Sequence, residues 1–327
     1  MKKKTVILVL IAGVLFLNAC QKNTDIFVPD PGQLNGPDTT WQTTITAAMP
    51  VYSLKNSILF EPYTDSIIVN ANIATITSPS GLQVYFSPNC CVNAVGQTVN
   101  GTVLVELMLI KKKGDMIRLS RPTTSNDSLL VSAGEIFIRL KKNGQELQLA
   151  PTARINIRFT DIPVNPLMKF FAGDETNAER FNWRPNPDLV NNFVNIGTQN
   201  YEIYSNHLRW IHIAYVYDLN STAKVNVVAN LAPYFTNANT VAFTVFKDLR
   251  SVAGMYGNVS TRKFSTGKLP VGKAITVVVI SKQANDYYLG YESAVTATAT
   301  SGNNIQPVIV KPIKKSLPEI IAYLSSL

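Results

Sequence analysis

The sequence predicts an all-β chain of two β-sandwich domains followed by a short C-terminal helix. Three observations support this prediction. A two-residue hairpin signal stands at Asn143-Gly144, a clean period-2 alternation runs from Ala153 to Phe159, and eight short strand patterns separated by turns follow from Tyr201. Long helical patterns are nearly absent.

The hairpin is the best-defined element of the first sandwich. Asn143-Gly144 favours a type I′ turn, because both central positions need a positive φ. The turn fixes a register that pairs Lys142 with Gln145, Lys141 with Glu146, Leu140 with Leu147, and Ile138 with Leu149. The apolar residues then share one face, and Lys141 and Glu146 oppose each other on the other face.

Further strands flank this hairpin. Ala153, Ile155, Ile157 and Phe159 point to one face of a strand. The segment Thr102–Ile110 is apolar on nearly both faces except at Glu106, which predicts a central strand. After the turn Lys111–Asp115, Met116–Leu119 is expected to be extended.

Several short strings in this region carry a family resemblance: Ser78–Val84, Gly101–Val103, Gly114–Ile117, Pro122–Asn126 and Asn143–Leu147. Together they resemble the ZU5-like β-sandwich, in the version found in outer-membrane lipoproteins of Bacteroidetes-type bacteria. The resemblance to the domain covers about Ile67 to Ile162, and we place the domain at residues 41–164. Two further strings, Pro233–Thr240 and Pro270–Lys273, resemble the C-terminal half of the same lipoproteins and extend the resemblance over most of the mature chain. The resemblance implies a fold and no activity. Some ZU5-type domains precede a self-cleaving site that contains a His; the closest string here, Tyr85–Pro88, lacks that His.

Residues 1–19 have the pattern of a signal peptide. Three lysines (2–4) precede the apolar run Val6–Leu17, which is too short to span a membrane. The run ends in Leu17–Cys20, which is similar to the bacterial lipobox. This predicts a diacylglycerol on the Cys20 thiol, cleavage before Cys20 and acylation (palmitate type) of the new amine. The alternative is an ordinary secretory signal with an incidental cysteine.

A flexible tether is predicted at residues 20–40, because the stretch is rich in Pro and Gly and lacks periodicity. Its reach is about 25 Å. Gln21, rather than Asp, follows the predicted lipid site, which is compatible with the outer membrane. A lone Asp25 replaces the acidic cluster of some surface-exported lipoproteins, so the sequence leaves the periplasmic and cell-surface faces both open.

The net charge is modest. It is +9 for the whole chain and falls to +6 when the three lysines of the signal peptide are removed. The remaining basic residues lie mostly at turns, which is typical of solvated hairpin ends. Weak attraction to anionic lipopolysaccharide or polysaccharide is the alternative. We expect the membrane as a partner through the lipid on Cys20, an envelope protein or a polysaccharide as a second partner, and no nucleic acid.

Two further cysteines, Cys90 and Cys91, are adjacent in sequence. Their Cα atoms are about 3.8 Å apart, which is shorter than a disulfide normally spans. We expect buried thiols; a strained, redox-active pair is the alternative.

The second part of the chain begins with an interdomain segment, predicted at residues 165–200. Trp183 within it is either a filler of the domain interface or a platform for a sugar ring. Residues 201–312 are assigned to a second, Ig-like (Greek-key) sandwich, whose Tyr287 and Tyr288 are further candidates for ligand-facing aromatics.

The last segment, 313–327, predicts a helix. Ser316 and Glu319 form a capping box with Pro318 in the first turn. Leu317, Ile320, Ile321 and Leu324 then make an apolar stripe that we expect to dock on the second sandwich. Pairing with a partner protein is the alternative.

No established catalytic spacing occurs in the sequence. His207 and His212 are the two histidines, and a strand would point them to opposite faces. Ser260–Lys263 matches the S-x-x-K motif, which requires a helix that places the lysine one turn after the serine. Here the match lies in strand-like sequence. Asp174-Glu175 and Asp286 are weak candidates for binding a cation.

We therefore predict no catalytic, cofactor-binding or metal site. The favoured hypothesis is a non-enzymatic, membrane-anchored envelope lipoprotein that acts as a scaffold or binding module. The alternatives are a carbohydrate-binding accessory lipoprotein and a hydrolase whose site is assembled from dispersed residues.

Overall fold

The computed structural model describes residues 39–177, 179–217, 223–297 and 304–327 and confirms the all-β prediction. The predicted signal peptide, Cys20 and almost all of the predicted tether lie outside the described residues. Within the described ranges, no helix combines the length and the apolar character needed to cross a membrane.

The N-terminal half contains two facing antiparallel sheets. The larger sheet has the order β1-β5-β7-β15-β11-β12, and β6 and β8 pair with β7. Its strands are β1 (Tyr63–Val69), β5 (Gly101–Ile110), β6 (Thr124–Ser125), β7 (Ser128–Lys142), β8 (Gln145–Glu146), β11 (Lys169–Asp174), β12 (Asn182–Pro185) and β15 (Arg209–Val216). The smaller sheet has the order β13-β14-β10-β3-β2. Its strands are β2 (Ala74–Thr77), β3 (Gln83–Phe86), β10 (Ile155–Thr160), β13 (Phe193–Ile196) and β14 (Asn200–Ser205). Strands β4 (Cys91–Val92) and β9 (Gln148–Leu149) form a separate pair.

The hairpin prediction is confirmed at its turn. Asn143 and Gly144 both have positive φ, at 52° and 77°, and Lys141 and Lys142 pair with Glu146 and Gln145. The amide of Leu147 donates to the carbonyl of Leu140 at 2.8 Å. The register beyond that point is wrong, because Leu149 leaves the hairpin and pairs with Cys91.

Two neighbouring predictions have different outcomes. The alternation of β10 is confirmed, since Ile155, Ile157 and Phe159 are buried. The extended conformation expected for Met116–Leu119 is wrong. The segment Lys113–Arg118 forms a short helix, α2, whose Met116 and Ile117 are buried.

The C-terminal half is one curled sheet with the order β22-β16-β19-β18-β17-β20-β21-β23. Its strands are β16 (Lys224–Asn230), β17 (Thr240–Phe246), β18 (Val252–Asn258), β19 (Lys263–Pro270), β20 (Ala274–Gln283), β21 (Asp286–Val295), β22 (Ile305–Ile309) and β23 (Ile313–Lys315). Strand β18 makes the bend. Its first residues pair with β17 and its last residues, from Tyr256, pair with β19.

Among the described residues, three hydrophobic cores hold these layers together. The N-terminal core lies between the two N-terminal sheets, and the C-terminal core lies inside the curled sheet. The third, the central core, lies between the halves. It joins the outer face of the large N-terminal sheet, the outer face of β17 and β20, helix α1 (Pro50–Ile58), α2, and helix α3 (Leu317–Ser325).

The predicted domain boundary near residue 200 therefore requires correction. Strands β14 and β15, which the sequence placed in the second sandwich, pair with β10 and β7 of the first. The interdomain segment 165–200 supplies β11, β12 and β13 to the same sheets. Residues Thr39–Leu327 form one compact unit.

Helix α3 begins as predicted. The Ser316 side chain accepts a hydrogen bond from the amide of Glu319, and the Glu319 carboxylate accepts one from the amide of Ser316. Its buried residues, Ile320 and Leu324, belong to the central core, and the helix also contacts α2 of the N-terminal half. Gly114 permits that contact, because a Cβ there would lie 1.6 Å from the carbonyl oxygen of Leu324.

Candidate ligand cleft between the two halves

Trp183 does not face a ligand. Its side chain is fully buried in the central core, and its indole nitrogen donates a hydrogen bond to the carbonyl of Pro122 at 3.0 Å. The rings of Phe181 and Trp210 pack edge-on against it. The platform alternative for Trp183 is wrong and the interface alternative is the one observed, because β12 places this residue between the two halves.

The other two predicted aromatics are half-buried. The Tyr287 hydroxyl donates to the hydroxyl of Ser57 at 3.0 Å, which ties β21 to α1. Tyr288 packs edge-on against Phe235, with ring centroids 5.9 Å apart. The structure does not bring either ring together with Trp183.

The adjacent cysteines are buried, free thiols, as expected. Their sulfur atoms lie 3.3 Å apart. The hydrogen bond with Cys90, and then burial, raise the pKa of the Cys91 thiol. The pair faces the N-terminal core, so it lies far from the solvent side of the sheets.

The carboxylates that we considered for cation binding are engaged by basic side chains. Asp174 pairs with Arg184 at 2.5 Å, and Asp286 pairs with Lys314 at 2.8 Å. Glu175 pairs with Arg209 at 2.5 Å.

The two histidines have unrelated surroundings. His207 lies before β15 and shares a hydrogen bond with the amide nitrogen of Asn186 at 2.9 Å. His212 is fully buried in the central core beside Trp183, at 4.6 Å between ring centroids. Burial lowers the pKa of His212 to about 3.

A buried acid that sequence reasoning missed lies opposite His212. Glu135 on β7 is its direct partner in the ladder, and Glu135 is also fully buried. Neither carboxylate oxygen of Glu135 and neither ring nitrogen of His212 has a hydrogen-bond partner among the described residues. Burial raises the pKa of Glu135 well above its ordinary value, and Arg121 opposes that shift. At pH values above the pKa of His212 and below the raised pKa of Glu135, both side chains are uncharged in the folded state. Uncharged side chains can remain in an apolar core.

A cleft opens at the edge of the central core, where residues 179–182 pass over β18. Four residues form a wall shared by two cavities: Arg180, Phe181, Gly254 and Tyr256. The guanidinium of Arg180 lies 4.6 Å from the centre of the Tyr256 ring. Tyr256 folds back along its own strand, so that a Cβ on Gly254 would lie 2.9 Å from the Tyr256 hydroxyl.

The inner cavity has a volume of about 140 Å³. Its apolar lining comes from β17, β18, β19 and α1: Val51, Val241, Phe243, Met255 and Phe264. Lys55 lines it from the last turn of α1, and Tyr256 and Ser120 add hydroxyl groups. Burial lowers the pKa of Lys55, and the nearby Glu179 carboxylate counteracts that shift. Burial also raises the pKa of Tyr256, so that its hydroxyl stays protonated at neutral pH.

The outer cavity is larger, at about 360 Å³, and more of its lining side chains are polar. Asn126 and Asn182 fix its N-terminal side through two mutual hydrogen bonds, at 2.7 and 3.1 Å. Asp127, Ser265 and Lys268 also line it. Both cavities expose polar and apolar surface in nearly equal shares, and the smaller one contains the ammonium group of Lys55.

The sequence carries a signal for one side of this cleft. Pro50 followed by Val51, Leu54 and Ile58 is the spacing of a helix with one apolar face, and these three residues are the buried ones of α1. Lys55 follows Val51 by four positions and therefore lies on the same side. The position of β18 against this helix depends on packing between the halves, which no local pattern encodes.

No protein-family model matches this chain, and no curated protein matches it. The resemblance to ZU5-like lipoproteins therefore stays a prediction.

Proposed function

We propose that this protein is a non-enzymatic binding module of the cell envelope, anchored to the outer membrane by lipid on Cys20. The cleft between the halves would hold its ligand. The observation that carries the binding role is the inner cavity, which opens at the cleft and contains polar groups that no described residue satisfies. A concave site where a few polar groups converge beside apolar side chains is typical of a ligand site.

The arrangement of titratable groups supports binding rather than catalysis. The buried acid and imidazole, Glu135 and His212, lie inside the central core and not in the lining of either cavity. A general acid or base must come within hydrogen-bond reach of its substrate. The titratable groups that line the inner cavity are the Lys55 ammonium, the Tyr256 hydroxyl, the Arg180 guanidinium and the exposed Glu179 carboxylate, and they suit recognition of a polar ligand.

The anchor is tested by labelling cells with radioactive palmitate and separating their membranes. We expect label on the wild-type chain in the outer-membrane fraction and none on Cys20→Ala. Equal labelling of the two chains would overturn the lipid anchor.

The cleft is tested by placing a photo-crosslinking phenylalanine analogue at Asn258, an exposed residue of the outer cavity, in living cells. Asn72, exposed at the turn between β1 and β2, is the matched control. We expect an adduct, seen as a mass shift of the peptide, at position 258 and not at 72. Adducts at both positions or at neither would contradict a binding role for the cleft.

Carbohydrate binding is the second candidate. The outer cavity favours it, because Asp127, Ser265 and Lys268 carry polar groups suited to sugar hydroxyls. Binding on a glycan array that weakens in Asp127→Asn would support this candidate. Binding that is unchanged in that variant would remove it.

A further inference from the structure

The inner cavity contains an ammonium group that lacks a partner. Lys55 makes no ion pair within 4 Å and no hydrogen bond to any of the described residues, although its side chain is half-buried. A desolvated charge without a partner is costly, and such groups normally bind a counter-charge. The site therefore contains a positive charge that has no ion-pair partner within 4 Å among the described residues.

The surrounding charges strengthen that preference. Arg121 lies close enough to lower the pKa of Lys55, and Arg180 lines the same cavity. Glu179 is the one acid in the lining; it attracts Lys55 but is exposed, and its oxygen accepts a hydrogen bond from the amide of Ile45 at 3.3 Å. Two cations, Lys55 and Arg180, thus line the cavity together with one acid, Glu179, and Arg121 adds positive charge nearby while pairing with Glu175.

Neutral donors complete the polar side of the cavity. The hydroxyl groups of Tyr256 and Ser120 have no hydrogen-bond partner among the described residues, and both residues line the cavity. Other polar residues of the lining are already occupied. Asn237 exchanges two hydrogen bonds with the backbone of Gln42, at 2.9 and 2.7 Å, and the Thr240 hydroxyl is held by Asn239 and Ser281.

The rest of the wall sets the size and polarity of the ligand. A cavity of about 150 Å³ lined by aliphatic and aromatic side chains accommodates a molecule the size of benzene. The inner cavity, at about 140 Å³, has a similar volume, and Val51, Val241 and Phe243 form the apolar part of its wall. It would therefore take an organic group of about six heavy atoms.

We propose that the inner cavity binds a small organic carboxylate, or the carboxylate end of a larger ligand that extends into the outer cavity. The ammonium of Lys55 and the hydroxyl of Tyr256 would donate to the carboxylate, and the alkyl part would lie against the aliphatic and aromatic wall. This assignment deepens the proposed binding function and rests on it.

The test uses butyrate and its neutral analogue butyramide, which have the same number of heavy atoms. Binding of each to the detergent-solubilised full chain is measured by ligand-observed NMR titration. We expect butyrate to bind at least about ten-fold more tightly than butyramide, the size of a hydrogen bond to a charged group. Equal affinities, or no binding of butyrate, would overturn the assignment.

Substitutions locate the effect. In Lys55→Met, which keeps the aliphatic stem, we expect the preference for butyrate to disappear. Lys169→Met removes an exposed lysine of β11 and should leave both affinities unchanged. Tyr256→Phe should weaken butyrate by about three- to ten-fold, and it keeps the test decisive if Lys55→Met does not fold. Unchanged binding in Tyr256→Phe and Lys55→Met would place the carboxylate elsewhere.

Failure of the carboxylate assignment can be distinguished from failure of the proposed binding function. Photo-crosslinking at Asn258 without a preference for butyrate would leave the binding module standing and remove only the ligand class.

Discussion

The N-terminal core and the central core are built from different kinds of residues. The N-terminal core lies between two sheets and consists of apolar side chains and the two thiols. The central core packs against a fully buried carboxyl and a fully buried imidazole, and α1, α2 and α3 cover its edges. The first core specifies a sandwich, whereas the second fixes two halves together and leaves a cleft at its rim. The candidate ligand cleft therefore lies at the edge of the core that combines apolar side chains with buried polar ones, and not at the uniformly apolar core.

The largest expected effect comes from removing the aromatic centre of the central core. Trp183→Ala should lower the free energy of unfolding by about 3–5 kcal/mol, because it empties a fully buried site. Urea unfolding measures the loss. Trp183→Phe keeps most of the volume and loses the hydrogen bond to Pro122, so it should cost less. A loss below 1 kcal/mol in the alanine variant would mean that this core does not hold the halves.

The next effect is a loss of stability in acid caused by His212. Its pKa is about 3 when folded and ordinarily about 6.5. The unfolded state therefore binds the extra proton between these values, and stability falls as the pH falls from 6.5 towards 3. Between pH 6.5 and 4.5 the wild type should lose about 2–3 kcal/mol more than His212→Gln. Parallel pH profiles of the two chains would contradict the burial of a neutral imidazole.

Glu135 should have the opposite pH dependence. Its folded-state pKa is raised, so the folded state holds the proton and stability falls as the pH rises above about 4.5. Glu135→Met removes an unpaired buried carboxyl and should stabilise the protein by about 1–3 kcal/mol at pH 8, with a smaller gain at pH 4.5.

The control for that variant is Glu106→Met on the neighbouring strand. Glu106 is also buried but pairs with Lys141 at 2.6 Å and with Arg139, so its removal should destabilise the protein. If both substitutions changed the free energy of unfolding in the same direction, the distinction between a paired and an unpaired buried acid would fail.

The smallest effect concerns the helix that covers the edge of the central core. Ser316→Ala removes the N-cap of α3 and should cost about 1 kcal/mol. Ser316→Thr retains the capping oxygen and should be close to the wild type. Thermal unfolding of the three chains separates these outcomes.

Local sequence signals predicted local structure well. The turn at Asn143-Gly144, the alternation of β10 and the capping box of α3 are short-range features, and each is confirmed. The domain boundary failed for a physical reason. Strand β15 pairs with β7, whose partner residues lie 71 to 86 positions earlier in the chain. A period-2 pattern states which face is buried but not which strand is the neighbour.

The candidate site was less predictable still. Lys55 and Tyr256 meet because the halves pack together, and neither belongs to a motif. The burial of Glu135 had a weak signal, since β7 is a long strand buried on both faces and the acid lies in its middle. That signal indicates an unusual environment for Glu135, but it does not show that His212 lies opposite Glu135.

The most direct test of this account asks whether the two halves unfold as one body. Hydrogen exchange with mass spectrometry along a urea series follows the amides of β10 in the N-terminal half and of β19 in the C-terminal half. Because the central core joins the halves, both sets should lose protection at one urea midpoint, and Trp183→Ala should lower that midpoint for both. Two separate midpoints, with one half protected while the other exchanges, would contradict the shared core and with it the fixed cleft.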